Sequence, residues 1–137
     1  MDRVTQVIAV VHAGWRPAVA GIAARAVEKM AALGAIPGRV LAAIGPVIGP
    51  CCYRVGEEVA ARVPPGARST ALKKEETGGF RLDLGALNRW WLTNAGVPEK
   101  NVFSAGECTA CKTDLYYSYR KEGDRAGRMM AVIARLR

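Results

Sequence analysis

The residues of this chain equipped for chemistry are few: one histidine, His12, and four cysteines, set as the adjacent pair Cys51-Cys52 and the spaced pair Cys108-x-x-Cys111. His12 stands in Val10-Val11-His12-Ala13-Gly14-Trp15-Arg16, where a β-branched run gives way to a glycine turn. Open α/β sheets hold their ligands at that position, just beyond the carboxyl end of a strand. An imidazole there could bind a metal ion or carry a proton. Arg16, close to a helix start, could hold phosphate with the first-turn amides, the alternative being a surface salt bridge. Trp15 offers a face to a purine, although packing beneath the turn is the commoner role for such a residue. Tyr119 and Arg120 could reach the pocket as substrate contacts, with Tyr119 otherwise a core residue of a strand.

The cysteines leave several chemistries open. Cys51 and Cys52 would be reactive thiols if their turn set them among positive charges, and packing residues otherwise. Four is an even number, as a disulfide framework would require, but adjacent cysteines rarely bridge each other and a reducing compartment keeps thiols free. Four thiolates together could hold zinc, yet such sites usually draw on two spaced pairs, and an adjacent pair fits that geometry poorly.

The elements that must position these groups alternate in type. Val4 to Val11 reads as a strand buried on both faces. Pro17 then opens a helix whose apolar positions Val19, Ile22, Ala23, Ala26, Val27, Met30 and Leu33 keep helical spacing until Gly34. Val40 to Ile44 is a second strand, followed by the duplicated Ile44-Gly-Pro and Ile48-Gly-Pro turns and a helix of two turns from Gly56 to Val63. The polar, turn-rich stretch from Pro64 to Gly79 is predicted to be a mobile loop. Asp83 is a helix cap for Leu84 to Asn94, with Leu84, Leu87 and Trp91 on a buried stripe and Gly96 and Pro98 as the stop. Val102 to Ala105, Leu115 to Arg120 and Met129 to Ile133 are further strand candidates. The class is mixed α/β.

Composition excludes several functions. The 137 residues carry 20 Lys+Arg and 12 Asp+Glu, a net charge of +8, and half of them are hydrophobic, so the chain can bury a core without needing a staple. No apolar run reaches the roughly 18 residues of a membrane helix. Met1-Asp2-Arg3 does not open a secretory signal, and a cytoplasmic protein is expected. The arginines are spread along the chain, the densest group being Arg120, Lys121, Arg125, Arg128, Arg135 and Arg137. A nucleic-acid surface would cluster them with aromatic or polar readers between, so this pattern disfavours nucleic acid and suits an anionic small molecule equally well.

One family accounts for many of these motifs in order. The segment Val10 to Arg16, the turn from Ile44 to Gly56, Leu82-Asp83-Leu84 with Asn88, the Cys108-Thr109 pair, and Tyr117-Ser118-Tyr119-Arg120 leading to Gly127-Arg128-Met129 resemble the laccase-domain family. Its members are variously called multicopper polyphenol oxidases, purine nucleoside phosphorylases of the laccase-domain type, or peptidoglycan editing factors. The resemblance implies a two-sheet α/β fold, similar to cysteine-hydrolase-like folds, with mixed sheets flanked by helices. It also implies a single zinc-type metal site and the splitting of purine nucleosides such as adenosine, inosine and methylthioadenosine by phosphate, with some adenosine deamination.

The laccase name would instead imply copper and phenol oxidation. Multicopper chemistry needs several ions held mostly by histidines, and this chain has one. Zinc is therefore the expected cofactor and copper disfavoured.

In the family the metal sits on two histidines and one cysteine, of which only His12 has a counterpart here. The expectation is thus one laccase-type domain over residues 1–137, incomplete at its N-terminus, with His12 catalytic and metal-binding and with Arg16, Trp15 and Arg120 as substrate contacts. An inactive fragment or basic binding module, a Cys-His hydrolase, and a hydrolase editing cell-wall precursors are the alternatives. Exposed sheet edges and uncovered apolar surface would favour self-association.

Overall fold

In the computed structural model, which describes residues 1–135, pairing begins at the first residue. Met1 and Leu41 exchange backbone hydrogen bonds of 2.7 and 2.8 Å, and Asp2 bridges antiparallel to Val40. The buried Asp2 carboxylate accepts the amides of Ile36, Val4 and Thr5 and faces Arg39 at 3.3 Å. The Ile36 amide foremost, with the others against the cost of burial, holds its pKa down to about 2.

The elements follow as α1 (Trp15–Val19), α2 (Ile22–Ala32), β1 (Ala42–Ile44), β2 (Arg54–Val55), α3 (Glu57–Ala60), α4 (Arg68–Ala71), β3 (Leu72–Lys74), β4 (Phe80–Leu82), α5 (Leu84–Asn94), β5 (Val102–Ser104) and α6 (Tyr119–Glu122). Strands β1 and β5 lie parallel, Ala42 opposite Val102 and Ile44 opposite Ser104. The other sheet is antiparallel in the order β2-β4-β3, with Val55 opposite Phe80 and Leu72 opposite Leu82. The mixed α/β expectation therefore holds.

Helix α5 joins the two layers. The Asp83 side chain accepts the Ala86 amide at 2.8 Å, as a cap should, satisfying one of the free donors of the first turn. Leu84 and Leu87 are buried with Ala18, Tyr53, Val55, Val59, Val63 and Leu82. A second cluster of Val27, Met30, Ala35, Val40, Val97 and Val102 fills the space beside the parallel pair, with Leu92 of α5 packed on it. Trp91 is only partly buried, against the first cluster.

Several predicted elements differ. The single helix from Pro17 to Leu33 is broken at Gly21, whose φ of 77° is a left-handed conformation that a β-carbon resists. A β-carbon there would also meet the Trp91 ring at 3.3 Å, so the break lets α1 and α2 each pack on α5. The predicted strand from Val4 to Val11 does not form: Val4, Val10 and Val11 are 70, 57 and 43% exposed, and only Val7 packs on the core. A β-branched run becomes a strand only where a neighbouring strand takes up its backbone groups, and among the described residues no strand pairs with it, the Val7 carbonyl accepting the Asp2 amide instead.

The same holds for Leu115 to Arg120, whose end winds into α6, and for Met129 to Ile133, where Met130 and Val132 are 87 and 77% exposed. The helix expected from Gly56 to Val63 is confined to Glu57–Ala60. Most of the predicted loop from Pro64 to Gly79 is ordered as α4, β3 and the turn to β4, because Ala67, Ala71 and Leu72 fill the first cluster. Arg137 of the C-terminal basic stretch lies outside the described residues.

Candidate functional site

The Ile48-Gly49-Pro50 turn delivers the chain into β2, and β2 forms one wall of an open cleft of about 520 Å³. Trp15 from the start of α1, Tyr53, Arg54, Glu58, Gly79 and Arg120 line it. The Arg54 guanidinium meets Glu75 at 3.0 Å and donates to the Gly78 carbonyl at 2.7 Å, fixing the 75–79 turn over the cleft. Glu75 also pairs with Arg81 at 2.6 Å, so one carboxylate ties β2 to β4. Arg120 donates to the Arg54 carbonyl and lies 5.1 Å from the Tyr53 ring. Burial pushes the Tyr53 phenol up, against the pull of the Arg120 and Arg16 charges.

Two further guanidiniums flank Trp15, that of Arg16 at 4.4 Å and that of Arg62 at 6.0 Å from its ring. Arginines dispersed along the sequence thus converge in space around two aromatic rings. Such an arrangement offers stacking faces and bidentate donors for oxyanions.

Of the residues singled out from sequence, Trp15 and Arg120 share the cleft and Arg16 flanks it. Helix α1 has only five residues, so phosphate binding by Arg16 would rest on its guanidinium rather than on a helix dipole. Tyr119 is 65% exposed, pointing away from a core role. His12 is exposed on the extended segment before α1, its ring folded over Gly14 so that a β-carbon there would stand 3.0 Å from Nε2. Among the described residues no group of three or more potential metal ligands includes His12. The residues described thus do not make up the three-ligand zinc site the resemblance implies. Tyr53, Arg54 and Glu58 were not singled out as site residues, although Tyr53-Arg54-Val55-Gly56 belongs to one of the recognised motifs.

The cysteines behave differently. Val47 bridges Cys108 in parallel, with the Thr109 amide donating to the Val47 carbonyl at 3.1 Å. The amides of Cys52 and Tyr53 both donate to the Gly49 carbonyl at 3.0 Å, curling the turn back on itself. Cys51 Sγ and Cys52 Sγ consequently lie 3.5 and 3.4 Å from Cys111 Sγ. All four sulfurs fall within 4.8 Å of one another. The expectation that an adjacent pair fits a four-thiolate arrangement poorly is thereby corrected, because the turn brings both neighbours to the same partner.

Gly49 is what admits the cluster: a β-carbon there would meet Cys108 Cβ at 3.2 Å and Cys51 Sγ at 3.4 Å. Its amide donates to Cys108 Sγ at 3.2 Å. All four cysteines are free thiols, as expected. Although burial opposes it, the amides of Gly49, Cys111 and Ala110 hold the Cys108 thiol down to about 6. Hydrogen bonding to Cys52, Cys51 and Cys108 pushes Cys111 up to about 12, and Cys51 is raised chiefly by Cys108. Glu107, held by Lys112 and by the Tyr116 hydroxyl, braces the segment that carries the second pair.

This fold and these motifs define a laccase-type α/β protein. Residues 1–136 match the family described as multi-copper polyphenol oxidoreductase laccase, and the chain belongs to that family. It is 38% identical over 137 residues to the purine nucleoside phosphorylase YlmD of Geobacillus stearothermophilus, covering 93% of this chain and 48% of that protein. It is 36% identical over 138 residues to the adenosine deaminase RL5 of an unknown prokaryotic organism, covering 98% and 53%. The crystal structure of the Bacillus licheniformis hypothetical protein YfiH superposes with a TM-score of 0.83 at 34% identity, over 88% of this chain and 46% of that one. The chain spans about half the length of the relatives it matches. No helix among the described residues is long and apolar enough to cross a membrane.

Proposed function

We propose that this chain carries the nucleoside- and phosphate-binding face of a purine nucleoside phosphorylase. The observation that carries the reading is the cleft in which Trp15 and Tyr53 stand beside the guanidiniums of Arg54 and Arg120, with Arg16 and Arg62 over Trp15. The names of the relatives support it. In this reaction a phosphate oxygen attacks C1′ of the sugar while the C1′–N9 bond breaks, and the electron pair and a proton go to the departing purine.

The residues of this chain bind and orient. Trp15 stacks the purine, and Arg120 and Arg16 neutralise phosphate as it approaches the sugar. Glu58 supplies a carboxyl group on the cleft wall and is the residue proposed to exchange a proton with the base. His12, exposed on the segment that leads into Trp15, is assigned a catalytic part in the same reaction as a proton carrier, and no metal ion is assigned to it. Adenosine, inosine and methylthioadenosine are the substrates proposed, with adenosine deamination as a side activity.

The test is chromatographic: adenosine and inosine are incubated with the protein with and without phosphate, beside Arg120→Ala. Phosphate-dependent release of free base and sugar 1-phosphate, with a raised phosphate KM in the variant, is the expected result. Ammonia from adenosine without base release would replace phosphorolysis by deamination. Turnover of neither nucleoside would leave a binding module and overturn the enzymatic reading.

A further inference from the structure

We propose that Cys51, Cys52, Cys108 and Cys111 hold a single zinc ion in a four-thiolate site separate from His12 and from the nucleoside cleft. A tetrahedral zinc–thiolate centre has bonds of about 2.3 Å, which sets its sulfurs on a tetrahedron with edges of roughly 3.8 Å. The sulfur separations here, 3.4 and 3.5 Å for the two measured pairs and none above 4.8 Å, bracket that edge. They are far longer than the ~2.05 Å of a disulfide.

A second observation is the backbone around the sulfurs. The Gly49 amide donates to Cys108 Sγ at 3.2 Å, the kind of outer-shell donation that orients a ligand and spreads its negative charge. Cys111 also donates its amide to the Cys108 carbonyl at 3.2 Å, closing the Cys-x-x-Cys turn into a single chelating unit. Hard oxygen-seeking cations are excluded by the donor set, and four sulfurs in tetrahedral reach select zinc or a single iron. Zinc is preferred because a closed set of four thiolates is a standard form of its structural sites.

The placement gives the ion a role. The Cys51-Cys52 loop leaves β1 and the Cys108-Cys111 loop follows β5, so the ion clamps together the two connections that leave the carboxyl ends of the parallel pair. The first of these runs directly into Tyr53 and Arg54 on the cleft wall. A metal here stabilises the wall without touching substrate. Binding involves no oxidation: each thiol releases its proton to solvent as its sulfur donates an electron pair to the ion.

The experiment loads the reduced, metal-stripped chain with Co(II) and then with Zn(II). One Co(II) per chain should produce the intense visible bands of a tetrahedral thiolate complex and a thiolate-to-metal charge-transfer band, both bleached by one equivalent of Zn(II). Cys111→Ser and Cys51→Ser, both at exposed positions and so tolerant of serine, should each weaken binding by more than the roughly 10–100-fold cost of losing an outer-shell partner. His12→Ala should leave the spectrum unchanged. Weak octahedral Co(II) bands, equal binding by the serine variants, or a spectrum lost in His12→Ala would each overturn the site, as would recovery of the untreated protein with intramolecular disulfides among these cysteines. Failure of the phosphorolysis assay has no bearing on these readouts.

Discussion

The cysteine cluster and the His12 segment occupy similar places in the chain, each following a short apolar run and opening on a glycine turn, yet the structure treats them in opposite ways. Around the cysteines, a parallel strand pair, a bridge from Val47 to Cys108 and a glycine with no side chain in the way bring four ligating atoms within 4.8 Å. Around His12, the preceding run has no strand partner among the described residues and the imidazole folds over Gly14 with no ligand group of three assembled about it. Residue type nominates a site, and backbone pairing assembles it.

The strongest way to break this comparison leaves all four thiols in place. Gly49→Ala adds one methyl group where Cys108 Cβ and Cys51 Sγ already stand within 3.4 Å, and its effect on zinc affinity should fall in the roughly 10–100-fold range of an outer-shell defect. Competition with a chromophoric chelator measures it, and unchanged affinity would show that the close approach is not what shapes the cluster.

Packing sharpens the same contrast. Leu87 is fully buried and Val10 is 57% exposed, so Leu87→Ala should cost about 2–5 kcal/mol and Val10→Ala no more than about 0.5 kcal/mol. Chemical denaturation gives both numbers, and comparable losses would mean that the segment before His12 is packed after all.

Smaller still is the effect of the helix that joins the layers: Asp83→Ala removes a cap bond of 2.8 Å and should cost about 1 kcal/mol, with Asp83→Asn largely preserving it. At the N-terminus, Asp2 has its pKa depressed to about 2 from 3.8. A depressed carboxyl contributes stability above its unfolded pKa and loses it as the pH falls through the folded value. Unfolding midpoints should therefore decline between about pH 4 and pH 2, and Asp2→Asn should flatten that decline.

What the sequence made legible was local. Asp83 announced its helix because capping depends on a side chain and an amide three residues away, and Leu84 and Leu87 declared their buried face by spacing alone. The motif around His12 and the Ile44 to Gly56 turn were sufficient to mark the family. What was not legible required knowing the neighbours. Val4 to Val11 and Met129 to Ile133 have the composition of strands, but pairing is a property of two segments. The break at Gly21 answers to Trp91, seventy residues away.

The candidate site divides along the same line. Trp15 and Arg120 were chosen from their motifs and meet in the cleft. Tyr53 and Arg54 lie inside the Ile44 to Gly56 motif and Glu58 just beyond it, and nothing in the motif itself points to the cleft they line. The cysteine cluster was judged against the usual spacing of zinc ligands, and spacing says nothing of a turn that folds two adjacent thiols onto a partner fifty-nine residues distant.

The measurement that tests this contrast most directly is zinc content per chain, by elemental mass spectrometry, in the unaltered protein, His12→Ala and Cys111→Ser, all purified reduced and without added chelator. About one zinc in the first two and a loss of most of it in the third is the result that convergence of the four thiols predicts. Zinc that disappears with His12 and persists without Cys111 would place the metal on the histidine segment and contradict the account.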